Sequence, residues 1–108
     1  MTSNISRMAV FTFCLLFSFT ASAVETQRAV LVTGATSGIG LRTAEHLSAS
    51  GFYVYAGARK QADMGRVNAM DNVEAVRLDV TSPEDIAAAV TRITKAGKGL
   101  YGVVNNVT

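Results

Sequence analysis

The sequence predicts an α/β fold, a doubly wound parallel sheet in three layers with helices on both faces. Short β-branched apolar runs alternate with amphipathic helical stretches in the order βαβαβαβ, and a glycine-rich turn joins the first strand to the first helix. A third sign is the Ser82-Pro83 pair that opens the last helix. Each strand-helix-strand unit must carry the chain back over the sheet by a right-handed crossover, which makes the strands parallel. The first and fourth strands are then expected side by side where strand order reverses, with ligands bound at the C-terminal strand ends there.

Residues 29–33, Ala-Val-Leu-Val-Thr, are short and apolar and read as a strand buried on both faces. Ile39, Thr43, Ala44 and Leu47 then recur at the period of one helix face beyond Gly40, and Gly51 ends that helix. Residues 52–56 form a second strand. A short helix is expected over 61–70, with Met64, Val67 and Met70 on its inner face and Gly65 weakening it by about 1 kcal/mol. Residues 73–80 place Val76, Leu78 and Val80 in step, a third strand closing at Asp79. In the next helix Ser82 offers an N-cap hydroxyl, Pro83 takes the first helical position, where its missing N–H costs nothing, and Asp85 completes a capping box. Ile86, Val90 and Ile93 line its apolar face until Gly97-Lys98-Gly99 stops it, and residues 100–104 lead as a fourth strand into Asn105-Asn106.

The first 23 residues read as separate from this domain, which is expected over residues 24–108. Residues 1–7 are polar with one positive charge, residues 8–19 are almost wholly apolar, and Ala21-Ser22-Ala23 is an A-x-A cleavage signature. Together they predict a signal peptide that sends the protein into the secretory pathway or periplasm. The apolar stretch is shorter than the roughly 20 residues of a membrane-spanning helix, so an N-terminal membrane anchor is the second choice. A true start near Val24 would instead leave a cytoplasmic protein.

Composition excludes several functions. Ten basic and eight acidic side chains are scattered without a dense run or aromatic platform, so no nucleic-acid partner is expected. Apart from Arg59 and Lys60, the cations read as solvated surface. The single cysteine, Cys14, cannot form an intrachain disulfide, and no spacing of Cys or His suits a metal. His46 lies mid-helix without a partner at helical spacing and reads as structural.

Chemistry is concentrated in Thr33-Gly34-Ala35-Thr36-Ser37-Gly38-Ile39-Gly40. Gly34 permits a sharp turn, Gly38 lets bare backbone approach a pyrophosphate, and Gly40 allows the helix to pack close to the sheet. The helix N-terminus adds free N–H groups and a partial positive charge, so phosphate needs no lysine there. A P-loop would require Gly-Lys-Ser/Thr, and Ile39 follows Gly38. A methyltransferase or a classical dehydrogenase with the same fold would usually carry an acid at the end of the second strand, where this chain has Gly57-Ala58-Arg59-Lys60. An acid there bonds the ribose 2′-hydroxyl of NAD, whereas a guanidinium pairs with the 2′-phosphate of NADP. The expected cofactor is NADP in preference to NAD, against the alternative of a merely solvated basic loop.

With Thr33-Gly34-x-x-x-Gly38-x-Gly40, Asp79-Val80 after the third strand and Asn105-Asn106 after the fourth, the chain resembles the classical short-chain dehydrogenase/reductase family over residues 29–106. The resemblance implies a Rossmann-type fold and a cofactor site made by Gly34, Thr36, Ser37, Gly38, Ile39 and Gly40 around the pyrophosphate. It further implies Asp79 and Val80 at the adenine ring and Asn106 beneath the adenosine ribose, with Arg59 and Lys60 facing the 2′ position. Apart from the family, Asp79 is a strand-end acid and the asparagine pair a strand-end turn.

That family continues the asparagine pair with Ala-Gly, where this chain has Val107-Thr108. Its catalytic serine, its Tyr-x-x-x-Lys pair and a helical asparagine all fall later. No catalytic residue is therefore expected here: Gly57, Arg59 and Asn105 stand four positions after Tyr53, Tyr55 and Tyr101, so no tyrosine has a lysine one helical turn on. All three tyrosines lie in expected strands and read as core. The resemblance implies the truncated, cofactor-binding half of an oxidoreductase that passes hydride between NADP(H) and a small alcohol or carbonyl, with self-association an open question for a full-length form. A non-catalytic dinucleotide-binding module or a non-functional gene fragment is the alternative. A fourth strand left without a neighbour is expected to present an exposed apolar edge.

Overall fold

The computed structural model describes residues 27–106; the expected leader, Cys14 and Val107-Thr108 lie outside the described residues. The elements are β1 (Ala29–Val32), α1 (Gly38–Ala49), β2 (Tyr53–Ala58), α2 (Gln61–Asn68), β3 (Val73–Arg77), α3 (Pro83–Ala96) and β4 (Gly102–Val104). All strand pairs are parallel in the order β3-β2-β1-β4. Val32 is thereby flanked by Ala56 on one side and Val104 on the other, and strand order reverses between β1 and β4 as expected.

Alternation along the strands divides the core into two halves, because successive side chains point to opposite faces. Val30, Val32, Val54, Ala56, Val73 and Ala75 face one way and are covered by Ala44, Leu41 and Leu47 of α1 and by Met64 and Val67 of α2, with Met70 alongside. Ala29, Leu31, Tyr53, Tyr55 and Val76 face the other way and meet Ala89 and Ile93 of α3. The three layers follow from this, and β1 is covered on both faces with Leu31 only half-buried.

Helix ends match their local chemistry. Ser50 and Gly51 close α1, Gly51 at φ 97°, and Gly97 at φ 77° gives α3 a left-handed cap that suits a residue without a Cβ. Ser82 caps α3 by accepting a hydrogen bond from the Asp85 amide at 3.3 Å. The capping box is only half formed, because the Asp85 carboxylate accepts from the Asp79 amide at 3.0 Å instead of turning back to Ser82.

That diversion also explains why β3 stops at Arg77. Leu78 still donates to Ala58 O at 2.9 Å, but the next amide belongs to Asp85. On the other side β2 runs to Ala58, two residues past the expected limit, since Gly57 and Ala58 pair with Val76 and Arg77. β4 begins only at Gly102, after the left-handed Gly97 and Gly99. Tyr101 is 62% exposed and does not enter the core; it lies against Phe52 with Arg28 4.6 Å from its ring.

The apolar face of α3 is less buried than its periodicity implies. Ile93 packs inward, but Ile86 and Val90 are 43% and 59% exposed. With Leu31, Leu100 and Val103 they border an apolar groove of about 660 Å³ between α3 and β4. Among the described residues β4 pairs only with β1, so its far side is a sheet edge, and no helix is long and apolar enough to cross a membrane.

Tyr53 and Tyr55 meet edge to face, 5.2 Å between centroids, under α3. Tyr53 donates to Glu74 Oε1 at 2.8 Å, and Arg92 Nε pairs with Glu74 Oε2 at 2.7 Å. Burial, and then the bond to Glu74, push the Tyr53 hydroxyl up to about 12, and burial raises Tyr55 as well. Both shifts run opposite to what a proton-transferring tyrosine requires near neutral pH. The fully buried Tyr55 hydroxyl has no partner among the described residues. Tyr55→Phe is therefore expected to leave stability unchanged or raise it by up to about 1 kcal/mol, measured by denaturant unfolding. A loss of that size would show that the hydroxyl has a partner.

Candidate functional site

The strand-order reversal forms a cleft at the C-terminal ends of β1, β2 and β4. β1 leads through Thr33 into Gly34, and the amide of Ala35 donates to Gly57 O at 3.0 Å, tying the turn to the end of β2. Gly34 and Gly38 both adopt left-handed backbone, φ 57° and 56°, a region costly for other residues. A Cβ on Gly34 would stand 2.7 Å from Asn106 O, and one on Gly40 would overlap the Gly34 carbonyl oxygen. At Gly38 the space is open. Gly40 thus lets α1 press on the turn, while Gly38 keeps the approach to it clear.

Ser37 occupies the N-cap of α1 in an extended conformation, yet its side chain makes no capping bond, and no acid lies in the first turn. The amides that open a helix have no acceptor within it and carry its positive dipole end. Among the described residues no side-chain acceptor caps this N-terminus.

Thr33 organises the opposite wall. Its buried hydroxyl donates to Asn105 Oδ1 at 3.0 Å and accepts from the Asn106 amide at 2.7 Å. Asn106 Nδ2 in turn donates to Gly34 O at 3.3 Å. The asparagine pair is therefore part of the turn's support as well as its surface.

Two adjoining cavities occupy the cleft. One, of about 350 Å³, is lined by Gly34, Thr36, Ser37, Gly38, Ile39, Arg59, Lys60 and Asn106, together with Gly57, Asp63 and Arg66. The other, of about 130 Å³, is lined by Asp79, Val80, Thr33, Leu78 and Thr81 and shares Gly34, Arg59 and Asn106 with the first. Ten of the eleven residues expected at a cofactor site line one cavity or the other. The remaining one, Gly40, is buried beneath the turn and acts through packing. Ile39 is 77% exposed at the cavity mouth.

Thr81 donates to Asp79 Oδ1 from both its hydroxyl, at 2.6 Å, and its amide, at 2.9 Å. These bonds, the hydroxyl's first, hold the Asp79 carboxyl below the usual carboxylate range. Oδ2 has no partner among the described residues, so an ionised acceptor faces the smaller cavity.

Asp63 and Arg66 line the cleft although sequence reasoning passed over them, and Thr33, quoted at the head of the motif, was given no role there. Arg66, expected as solvated surface, donates from Nη2 to Thr36 O at 2.6 Å. Its signal was present: Asp63 and Arg66 stand three apart on one face of α2, which begins directly after Lys60. Among the described residues no cluster of three or more His, Cys, Asp or Glu is arranged to hold a metal.

A parallel sheet whose strand-order reversal carries a glycine turn and an open helix N-terminus defines a Rossmann-type α/β protein, the kind that binds dinucleotides at that point. Within that class, residues 28–108 match the short chain dehydrogenase family. The chain belongs to the short-chain dehydrogenase/reductase family of oxidoreductases, in its classical form. It is 43% identical over 81 residues to the uncharacterized oxidoreductase YbbO of Escherichia coli K12, covering 74% of this chain and 30% of that protein. It is 42% identical over 86 residues to estradiol 17-beta-dehydrogenase 2 of Mus musculus, covering 74% and 23%. Among solved structures, the F189W actinorhodin polyketide ketoreductase with NADPH superposes with a TM-score of 0.68 at 31% identity, covering 78% of this chain and 34% of that one. The chain thus spans about a third or less of the length of these relatives.

Proposed function

We propose that these residues form the cofactor-binding half of an NAD(P)-dependent oxidoreductase, holding NADP(H) in preference to NAD(H) for hydride exchange with a small alcohol or carbonyl. The observation that carries this reading is one cavity combining the α1 N-terminus, the glycine turn and the free cations Arg59 and Lys60. Among the described residues neither cation has an ion-pair partner. The cradle also fits the group sterically, since a Cβ at Gly34 or Gly40 would break the turn against its own walls and the open space at Gly38 leaves the approach to bare amides clear. A bound nicotinamide dinucleotide would supply hydride to a carbonyl in its reduced form or accept it from an alcohol in its oxidised form.

The chain's residues have separable tasks in this reading. Amides of the turn and of the first turn of α1 hold the diphosphate, and Ser37 has a hydroxyl to add. Asp79 accepts from the adenine amino group, Val80 packs on the ring and Asn106 underlies the ribose. Arg59 and Lys60 meet the 2′-phosphate. Proton transfer is assigned to none of the tyrosines, since burial raises the Tyr53 and Tyr55 hydroxyls and Tyr101 lies at the sheet's rim against Phe52 and Arg28. Export or membrane anchoring by residues 1–23 belongs to the same proposal; mass spectrometry of the secreted and cell-bound fractions reads the mature N-terminus.

Isothermal titration of the full chain with NADPH and NADH is the direct test. Both are expected to bind, NADPH more tightly, and removing both cations with Arg59→Ala and Lys60→Ala should cost NADPH at least tenfold while sparing NADH, the worth of one or two charge-assisted hydrogen bonds. Well-folded protein that releases no heat with either dinucleotide overturns the proposal.

A further inference from the structure

We infer that Arg66 is a third phosphate-recognising cation of this site and sets its selectivity for a dinucleotide bearing a phosphate monoester on the adenine ribose. This rests on the cofactor-binding reading above and adds a residue to it that neither the glycine motif nor the basic pair contains.

The first ground is position. Arg66 lines the same cavity as Arg59 and Lys60 although it lies on α2, one to two helical turns beyond them. It is held there by the bond from Nη2 to Thr36 O at 2.6 Å, which reaches across 30 residues into the glycine turn. A carbonyl lone pair is a poor neighbour for an anion, and this bond occupies one in the cavity wall.

The second ground is unused capacity. A guanidinium carries five N–H donors. Beyond Thr36, the one other contact of Arg66 among the described residues is with Asp63, again through Nη2, at 3.6 Å. Side-chain exposures of 60% and 32% make this pair weak and easily diverted. Nε and Nη1 have no partner among the described residues, which leaves an edge open for phosphate oxygens.

The third ground is charge. Arg59, Lys60 and Arg66 stand against the single carboxylate of Asp63 around this cavity, a surplus of two positive charges. The diphosphate bridge is already met by the α1 N-terminus, which needs no side-chain cation. The surplus matches the roughly −1.5 to −2 charge of a phosphate monoester near neutral pH.

The test is a titration of wild type, Arg66→Ala, Arg66→Gln and Arg66→Lys with NADPH, NADH and adenosine 2′,5′-bisphosphate, alongside thermal melts. Arg66→Gln removes the charge while keeping an unbranched polar side chain, so it reports even where Arg66→Ala fails to fold. The expected result for both uncharged variants is roughly a tenfold or greater loss toward NADPH and the bisphosphate, with NADH within about twofold and an unchanged melting temperature. Arg66→Lys should recover part of the loss. Equal weakening of NADPH and NADH would make Arg66 a support for the turn and overturn the assignment, as would unchanged affinity for every ligand. Wild type that binds neither dinucleotide overturns this inference together with the proposed function, and so is distinguishable from failure of the inference alone.

Discussion

Gly40→Ala is expected to unfold the nucleotide end of the molecule. The added methyl would overlap the Gly34 carbonyl oxygen and stand 2.7 Å from Asn106 Nδ2. Neither wall can yield cheaply. The carbonyl belongs to a left-handed turn tied through Ala35 to Gly57, and Asn106 is tied through Thr33 to β1. Overpacking against such backbone lies at the upper end of the ~1–3 kcal/mol range, which for a domain of this size lowers Tm by roughly 10–20 °C. Gly38→Ala is the informative contrast. Nothing stands within 4 Å of a Cβ there, so its cost is the left-handed backbone alone, φ 56°, about 1 kcal/mol. Its methyl would nevertheless project where a phosphate must meet bare amides, and dinucleotide affinity should fall at least tenfold, ~1.4 kcal/mol. Circular dichroism melts and calorimetry separate the two outcomes. A Gly40→Ala protein with the wild-type Tm would mean that α1 does not pack on the turn as described.

Thr33→Val should be the most damaging change that keeps side-chain shape. The Thr33 residue is 5% exposed, and its oxygen both donates to Asn105 and accepts from the Asn106 amide. Valine preserves volume and leaves that amide without its acceptor, at a cost of about 1–3 kcal/mol. The damage should spread to binding, because Asn106 forms one wall of both cavities and contacts Gly34. Thr33→Ser, which retains the hydroxyl, is expected to recover most of both stability and affinity. Denaturant unfolding of the three proteins, followed by titration of each with NADPH, tests the linkage. Valine and serine variants of equal stability would remove Thr33 from this role.

The parts of the site that were legible in the sequence are those governed by local rules. Gly34, Gly38 and Gly40 declare a turn because backbone conformation and close packing depend on the residue itself, and Ser82-Pro83 marks a helix start for the same reason. The limits of β2 and β3 were less legible. Whether Ala58 extends a strand depends on Arg77 lying opposite it, and whether Asp79 does depends on Asp85 taking its amide. Tyr101 shows the same limit: its strand-like surroundings imply core, but the glycines before it place it at the sheet's outer rim, against Phe52 and Arg28.

The amino-acid sequence by itself determined the βαβαβαβ order, the glycine turn and the family to which the chain belongs, because strand alternation, helical period and glycine conformation are properties of neighbouring residues. Only the tertiary structure decided that Thr33 braces Asn106, that Arg66 reaches Thr36, and that Ile86 and Val90 border an open groove. Those relations join residues far apart along the chain, brought together by parallel crossovers and the reversal of strand order, and no local pattern encodes such distances.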